Sequence, residues 1–134
     1  MKNELRWKQR FQNFEKAFLL IDEVVTGDIK QLNQLEMEGL IQRFEILIEL
    51  SWKTLKDYLE NEGYDDVKNG KQAIRQAFVD GIISDADVWM SALQKRNLTS
   101  NTYNESIVKE MLIFICEDFY PIVKSLHKHL KLKL

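Results

Sequence analysis

Apolar residues return along this chain in steps of three and four, the period of a helix with one buried face. Trp7, Phe11, Phe14, Phe18, Ile21 and Val25 set the first stripe, and Gly27 with Asp28 supplies its stop. Ile41, Phe44, Ile48, Trp52, Leu55 and Leu59 repeat the pattern until Gly63, a residue suited to a helix C-cap. Leu47, Leu50 and Tyr58 widen this second surface beyond one stripe, which predicts contact with more than one neighbour. The steps average about 3.5 residues, as expected for long, nearly antiparallel bundle helices.

The middle of the chain is finer-grained. Asn69-Gly70 marks a turn, and Ala73, Ile74, Ala77 and Phe78 then predict a short helix ending at Gly81. Ser84 reads as the cap of the next helix, with Asp85 and Asp87 in its first turn and Val88, Trp89 and Leu93 on its apolar side. Thr102 and Glu105 fit a capping box that opens the last helix. Val108, Leu112, Ile115, Phe119, Ile122 and Leu126 carry that helix inward, and Pro121 should kink or interrupt it. The basic tail, residues 127–134, is expected to fray. The fold expectation is a single all-α domain over residues 1–134, an up-and-down helical bundle of about five helices.

Composition supports that reading. One proline and five glycines in 134 residues are too few turn formers for an all-β fold. At 45% hydrophobic and 30% charged, the chain is too apolar for disorder. Its longest apolar run, 111–116, is far too short to span a membrane, and the first residues lack a signal-peptide core, so a cytoplasmic location is expected. The net charge of −2 does not signal nucleic acid, so RNA as a ligand would need a local basic patch.

Candidate chemistry is sparse. His127 and His129 are two apart, which separates them on a helix, and neither has an acidic neighbour in sequence at ligand spacing. Cys116, the sole cysteine, reads as a small core residue. No glycine-rich phosphate loop, Gly-Ser motif or paired-aspartate motif is present, so no cofactor is expected on this chain. On the second helix Arg43, Glu45, Glu49, Trp52 and Lys53 set polar groups into an apolar surface. That pattern suits a partner or dimer interface, although Glu49 and Lys53 also fit an ordinary salt-bridged helix edge.

The stretch KRNLTSNTYNE, residues 95–105, has two readings. Arg96 ends one helix and Thr102 caps the next, so a phosphate could sit between the guanidinium and the amides near Tyr103. Alternatively, Arg96 complements the helix dipole and the polar residues make a turn.

Several segments together resemble the nucleotidyltransferase substrate-binding proteins of the HEPN superfamily. They are RWKQRFQNFEKAF (6–18), GLIQRFEILIELSWKTLKDYLE (39–60) and the run from Ala73 to Glu105. The resemblance implies a homodimeric helical bundle that pairs with a separate minimal nucleotidyltransferase. That partner would supply the metal-binding aspartates, Mg²⁺ and the nucleoside triphosphate. Other members of the superfamily cleave RNA without a metal through an arginine and a histidine with four to six residues between them. Toxin–antitoxin relatives add a tyrosine two residues after the histidine, and the partner adenylylates it. Matched position by position, Arg96 stands for the arginine and Tyr103 for the tyrosine, but Asn101 occupies the histidine position.

That substitution changes the chemistry. Imidazole takes a proton near neutral pH because its pKa is about 6.5, whereas a carboxamide does not titrate there. Loss of a general base typically costs about 100- to 10,000-fold in rate. Asn101 and Thr102 can still hydrogen-bond a phosphate, and Arg96 can still balance its charge. The expectation is therefore a non-catalytic accessory subunit with Arg96, Asn101, Thr102 and Tyr103 as its contact site. The alternative is a HEPN-type ribonuclease toxin weakened at Asn101, with Tyr103 as a modification target.

Overall fold

The computed structural model describes residues 2–97 and 104–134. It consists of α1 (Lys2–Val25), a 3₁₀ turn (Ile29–Gln31), α2 (Gln34–Asn61), α3 (Gly70–Val79), α4 (Ala86–Arg96), α5 (Glu105–Ile113), a π-helical segment (Phe114–Phe119) and α6 (Tyr120–Lys131). The last three run on without interruption, so five rods form the bundle and no strand occurs among the described residues. The expected all-α bundle is what the chain forms.

The α1 stripe is buried from Trp7 to Ile21, and α2 buries Leu40, Ile41, Phe44, Leu47, Ile48, Leu55, Tyr58 and Leu59. Cross-helix pairs set the direction of packing. Arg6 meets Glu60 at 3.4 Å, Arg10 meets Asp57 at 2.8 Å, and Arg43 reaches the Leu20 carbonyl at 2.8 Å. Numbers rise on one helix as they fall on the other, so α1 and α2 are antiparallel. The same test makes α1 and α6 antiparallel, through Asp22 with Tyr120 and Glu15 with His127. Phe119 sits at the centre, edge-on to Phe44 at 4.8 Å and to Trp89 at 5.9 Å. Such edge-to-face pairs add about 1 kcal/mol each beyond area burial.

Helix ends follow local chemistry, with two corrections. Gly63 and Gly81 both adopt positive φ, and the amides of Tyr64 and Ile82 bond back to Leu59 and Ala77, completing Schellman caps. Asn69 caps α3 through the Gln72 amide, which makes Gly70 the first helical residue. A Cβ on Gly70 would approach Trp52 and Leu93 to 3.3 Å, so close packing as well as the turn favours glycine there. The first correction concerns α4, whose N-cap is Asp85 rather than Ser84. The second concerns α5. Its cap is Asn104, whose side chain accepts from the Ser106 and Ile107 amides, while the expected cap Thr102 lies outside the described residues. An asparagine immediately before the helix outcompetes a threonine two residues earlier.

Pro121 perturbs the last rod without ending it, and it does so through the preceding π-helical segment, where the Tyr120 amide bonds to Ile115 five residues back. The wide turn accommodates a residue that has no N–H and crowds the carbonyl four residues earlier. Every residue of the expected stripe except Leu112 is buried, and Met111 is buried beside it. The tail does not fray. α6 extends to Lys131, Leu126 and Leu130 are fully buried, and His127 stacks on Phe18 at 4.6 Å. The polar letters of the tail hide an apolar face at the spacing 122, 126, 130. Cys116 is half-buried on the π-helical segment, not a core residue, and burial with Glu117 nearby pushes its thiol pKa up.

Candidate functional site

Arg96 is the last residue of α4, and α4 packs against the middle of α2. That placement brings its guanidinium Nη1 to 2.6 Å from Glu49 Oε2. Glu49 Oε1 lies 3.5 Å from the Lys53 ammonium, one turn along α2. The sequence-level pair Glu49–Lys53 therefore exists, but the closer partner of Glu49 is Arg96, from another helix. Glu49 Oε2 is buried, and the Arg96 guanidinium approaches it to 2.6 Å.

Around this pair α2 and α4 form an open cleft of about 410 Å³ lined by Gln42, Glu45, Ile46, Glu49, Leu50 and Arg96. Gln42, Glu45, Ile46 and Glu49 repeat at three- and four-residue spacing on one face. Ile46 is half exposed there, an apolar floor between the acidic groups. The cleft thus combines a cation, two carboxylates, a carboxamide and an uncovered apolar surface. Asn101, Thr102 and Tyr103 lie outside the described residues. In sequence they fall between Asn97, which follows α4, and Asn104, the N-cap of α5.

The remaining expected interface residues separate. Arg43 donates to the Leu20 carbonyl and meets Glu23 at 3.1 Å, so it ties α2 to the last turns of α1. Trp52 packs over Gly70 of α3, with the Lys53 ammonium 5.8 Å from its ring centre. Leu47 and Tyr58, which widened the α2 surface, are buried in the chain's own core, whereas Leu50 reaches the cleft. Gln42 and Ile46 were missed in the sequence. Ile46 was detectable, because it is a large apolar residue off the core stripe.

A second cluster lies on the α1–α6 seam. The Tyr120 hydroxyl donates to Asp22, and burial together with that carboxylate pushes the phenol up to about 12. His127 Nε2 is 2.8 Å from Glu15 Oε2, and Lys131 is 3.3 Å from the same oxygen. The bond to His127 and the nearby Lys131 hold Glu15 below the usual carboxylate range, against the opposing effect of burial. Phe18 stacks between Tyr120 and His127. Among the described residues no three His, Cys, Asp or Glu side chains assemble into a metal site, and no helix is long and apolar enough to cross a membrane.

Residues 9–132 match the family described as nucleotidyltransferase substrate binding protein like. The chain belongs to that family. Its structure is similar to that of a Thermus thermophilus protein, with a TM-score of 0.78 and 29% identity over 88% of this chain and 98% of that one. It is also similar to a Haemophilus influenzae protein described as having the fold of a substrate binding domain of a nucleotidyltransferase. There the TM-score is 0.68 and the identity 26%, over 93% of this chain and 96% of the other. A Haemophilus influenzae protein named probable ribonuclease HepT is 33% identical over 91 residues. That alignment covers 65% of this chain and 61% of the relative, so the chain spans about three fifths of the relative's length.

Proposed function

We propose that this chain is a non-catalytic accessory subunit that dimerises and presents a substrate to a separate minimal nucleotidyltransferase in the cytoplasm, with the Arg96 cleft as its contact site. The observation that carries the reading is the α2–α4 cleft, where Arg96 meets Glu49 beside the half-exposed Ile46. A charged pair on an uncovered apolar floor suits recognition by a partner surface or an anionic group, because an incoming phosphate can exchange with the carboxylate on the guanidinium. The partner supplies Mg²⁺, the nucleoside triphosphate and the catalytic aspartates. Tyr103 follows the cleft in sequence and is the residue such a partner would modify.

The test is co-expression with a co-encoded small nucleotidyltransferase. A stable complex that Arg96→Ala weakens at least tenfold is the expected result, and a partner that fails to co-purify with the wild-type chain overturns the reading. Incubation of the complex with ATP and Mg²⁺, followed by mass spectrometry, should give a nucleotide adduct that Tyr103→Phe abolishes.

A ribonuclease reading is favoured by the similarity to probable ribonuclease HepT. It requires a base other than Asn101. RNA cleavage by the purified chain that Arg96→Ala removes would establish it. Cleavage gained only on Asn101→His would instead support a retained contact site that has lost its proton acceptor.

A further inference from the structure

Charge is divided unevenly along the chain. All 21 acidic residues lie before position 120, whereas residues 120–134 carry four lysines, two histidines and no acidic side chain. The fold turns that asymmetry into a surface. On α6, Lys124, Lys128 and Lys131 recur at four- and three-residue spacing and are all exposed, so they line one side of the helix over about 10 Å. Lys133 follows, also exposed. Two carboxylates of α1 reach α6. Glu15 holds Lys131 and His127, and Asp22 is engaged by Tyr120. Lys124 lies 5.7 Å from the Tyr120 ring centre. No carboxylate is within ion-pair distance of Lys124, Lys128 or Lys133 among the described residues.

We propose that the α6 ridge is a nucleic-acid backbone site, separate from the Arg96 cleft, that takes single-stranded RNA through Lys124, Lys128 and Lys133. Three observations select this ligand. Protein interfaces are depleted in lysine and enriched in arginine and aromatics, and the ridge is lysine alone. Membrane-surface helices turn an apolar face to the lipid, but that face of α6 (Ile122, Val123, Leu126, Leu130) is buried in the core. Exposed ammonium groups on Lys124 and Lys128, one turn apart on α6, with Lys133 just beyond the helix end, suit a phosphate chain, which needs charge and no base-specific fork. Lys131 is held by Glu15, so three lysines neutralise phosphate.

The test is fluorescence anisotropy of the whole chain with a labelled single-stranded RNA oligonucleotide over a salt series from about 50 to about 200 mM NaCl. Three neutralised phosphates give a log–log slope of about −2, an affinity loss of about 16-fold across that range. Lys124→Gln with Lys128→Gln should leave a loss of about 2- to 3-fold. Glu15→Gln releases Lys131 and should steepen the slope by about 0.7. Arg96→Ala should leave the slope unchanged, which separates this proposal from the reading of the cleft. The proposal is overturned by no RNA binding at the lowest salt, by a double lysine variant that keeps the wild-type slope, by a slope that responds to Arg96→Ala or ignores Glu15→Gln, or by binding to phosphatidylserine vesicles with none to RNA.

Discussion

The α1–α6 seam and the α2–α4 cleft are built from similar parts, a carboxylate and a cation beside a large apolar residue, yet they are finished differently. At the seam Glu15 is shared by His127 and Lys131, Asp22 receives the Tyr120 hydroxyl, and Phe18 fills the space between the rings. At the cleft Glu49 Oε2 meets Arg96, and Ile46 is left half exposed. A seam completed in this way serves stability, because nothing in it gains from a new partner. A cleft with a half-exposed apolar floor leaves surface that a partner can cover, and its residues matter little to folding.

The largest effect that tests this contrast is truncation. Phe18 is 4% exposed and stacked on both sides, so Phe18→Ala should destabilise the fold by about 3–5 kcal/mol. Ile46→Ala at the cleft should change stability by less than about 1 kcal/mol while weakening partner association. Urea unfolding of both variants checks the pair. Equal losses at the two positions would erase the distinction drawn between the regions.

Alkaline unfolding sharpens the comparison from the seam side. The folded-state pKa of Tyr120 is raised to about 12, from an ordinary value of 10.0. The unfolded chain therefore ionises first as pH rises. The stability carried by the protonated phenol is intact below pH 10, declines through the interval up to about 12 and levels above it. Tyr120→Phe removes this titration, so its stability should be lower than wild type below pH 10 and should fall less between pH 10 and about 12. Denaturant midpoints measured at half-unit pH steps give the answer. Parallel curves for the two proteins would show that the hydroxyl on Asp22 contributes nothing.

How much of this was legible in the sequence follows from the range of each interaction. The α1 and α2 stripes were legible because burial repeats with the helix period, and Gly63 and Gly81 because positive φ selects glycine. The α5 start was misplaced because Thr102 and Glu105 mimic a capping box, while Asn104 sits nearer the helix and takes the amides. The capping box that the fold does contain, Asn33 with Glu36, was equally readable and was passed over. The tail was misjudged because its lysines and histidines outnumber the leucines that anchor it. Arg96 was legible as a helix end, but its partner Glu49 was assigned to Lys53, since only the fold brings α4 onto α2. His127 illustrates the same limit, with its acidic partner 112 positions away in sequence.

The smallest expected effect on stability is at the cleft, and it is the most discriminating for function. Arg96 and Glu49 are partly exposed, at 42% and 24% of their side-chain surface, so breaking their contact should alter stability by no more than about 1 kcal/mol. Glu49→Gln keeps the shape of the side chain and removes the charge that competes for the guanidinium. If the cleft receives an anionic group, this variant should bind inorganic phosphate or a phosphorylated partner surface more tightly, by about 3- to 10-fold, because a charge-assisted bond no longer has to displace a carboxylate. Titration calorimetry with inorganic phosphate, on wild type, Glu49→Gln and Arg96→Ala, measures this directly. Tightening in the first variant and loss in the second assign the anion to Arg96. Weaker binding on Glu49→Gln would mean that Glu49 holds Arg96 in its binding pose, and the cleft would then be a preformed pair with no exchange of partners.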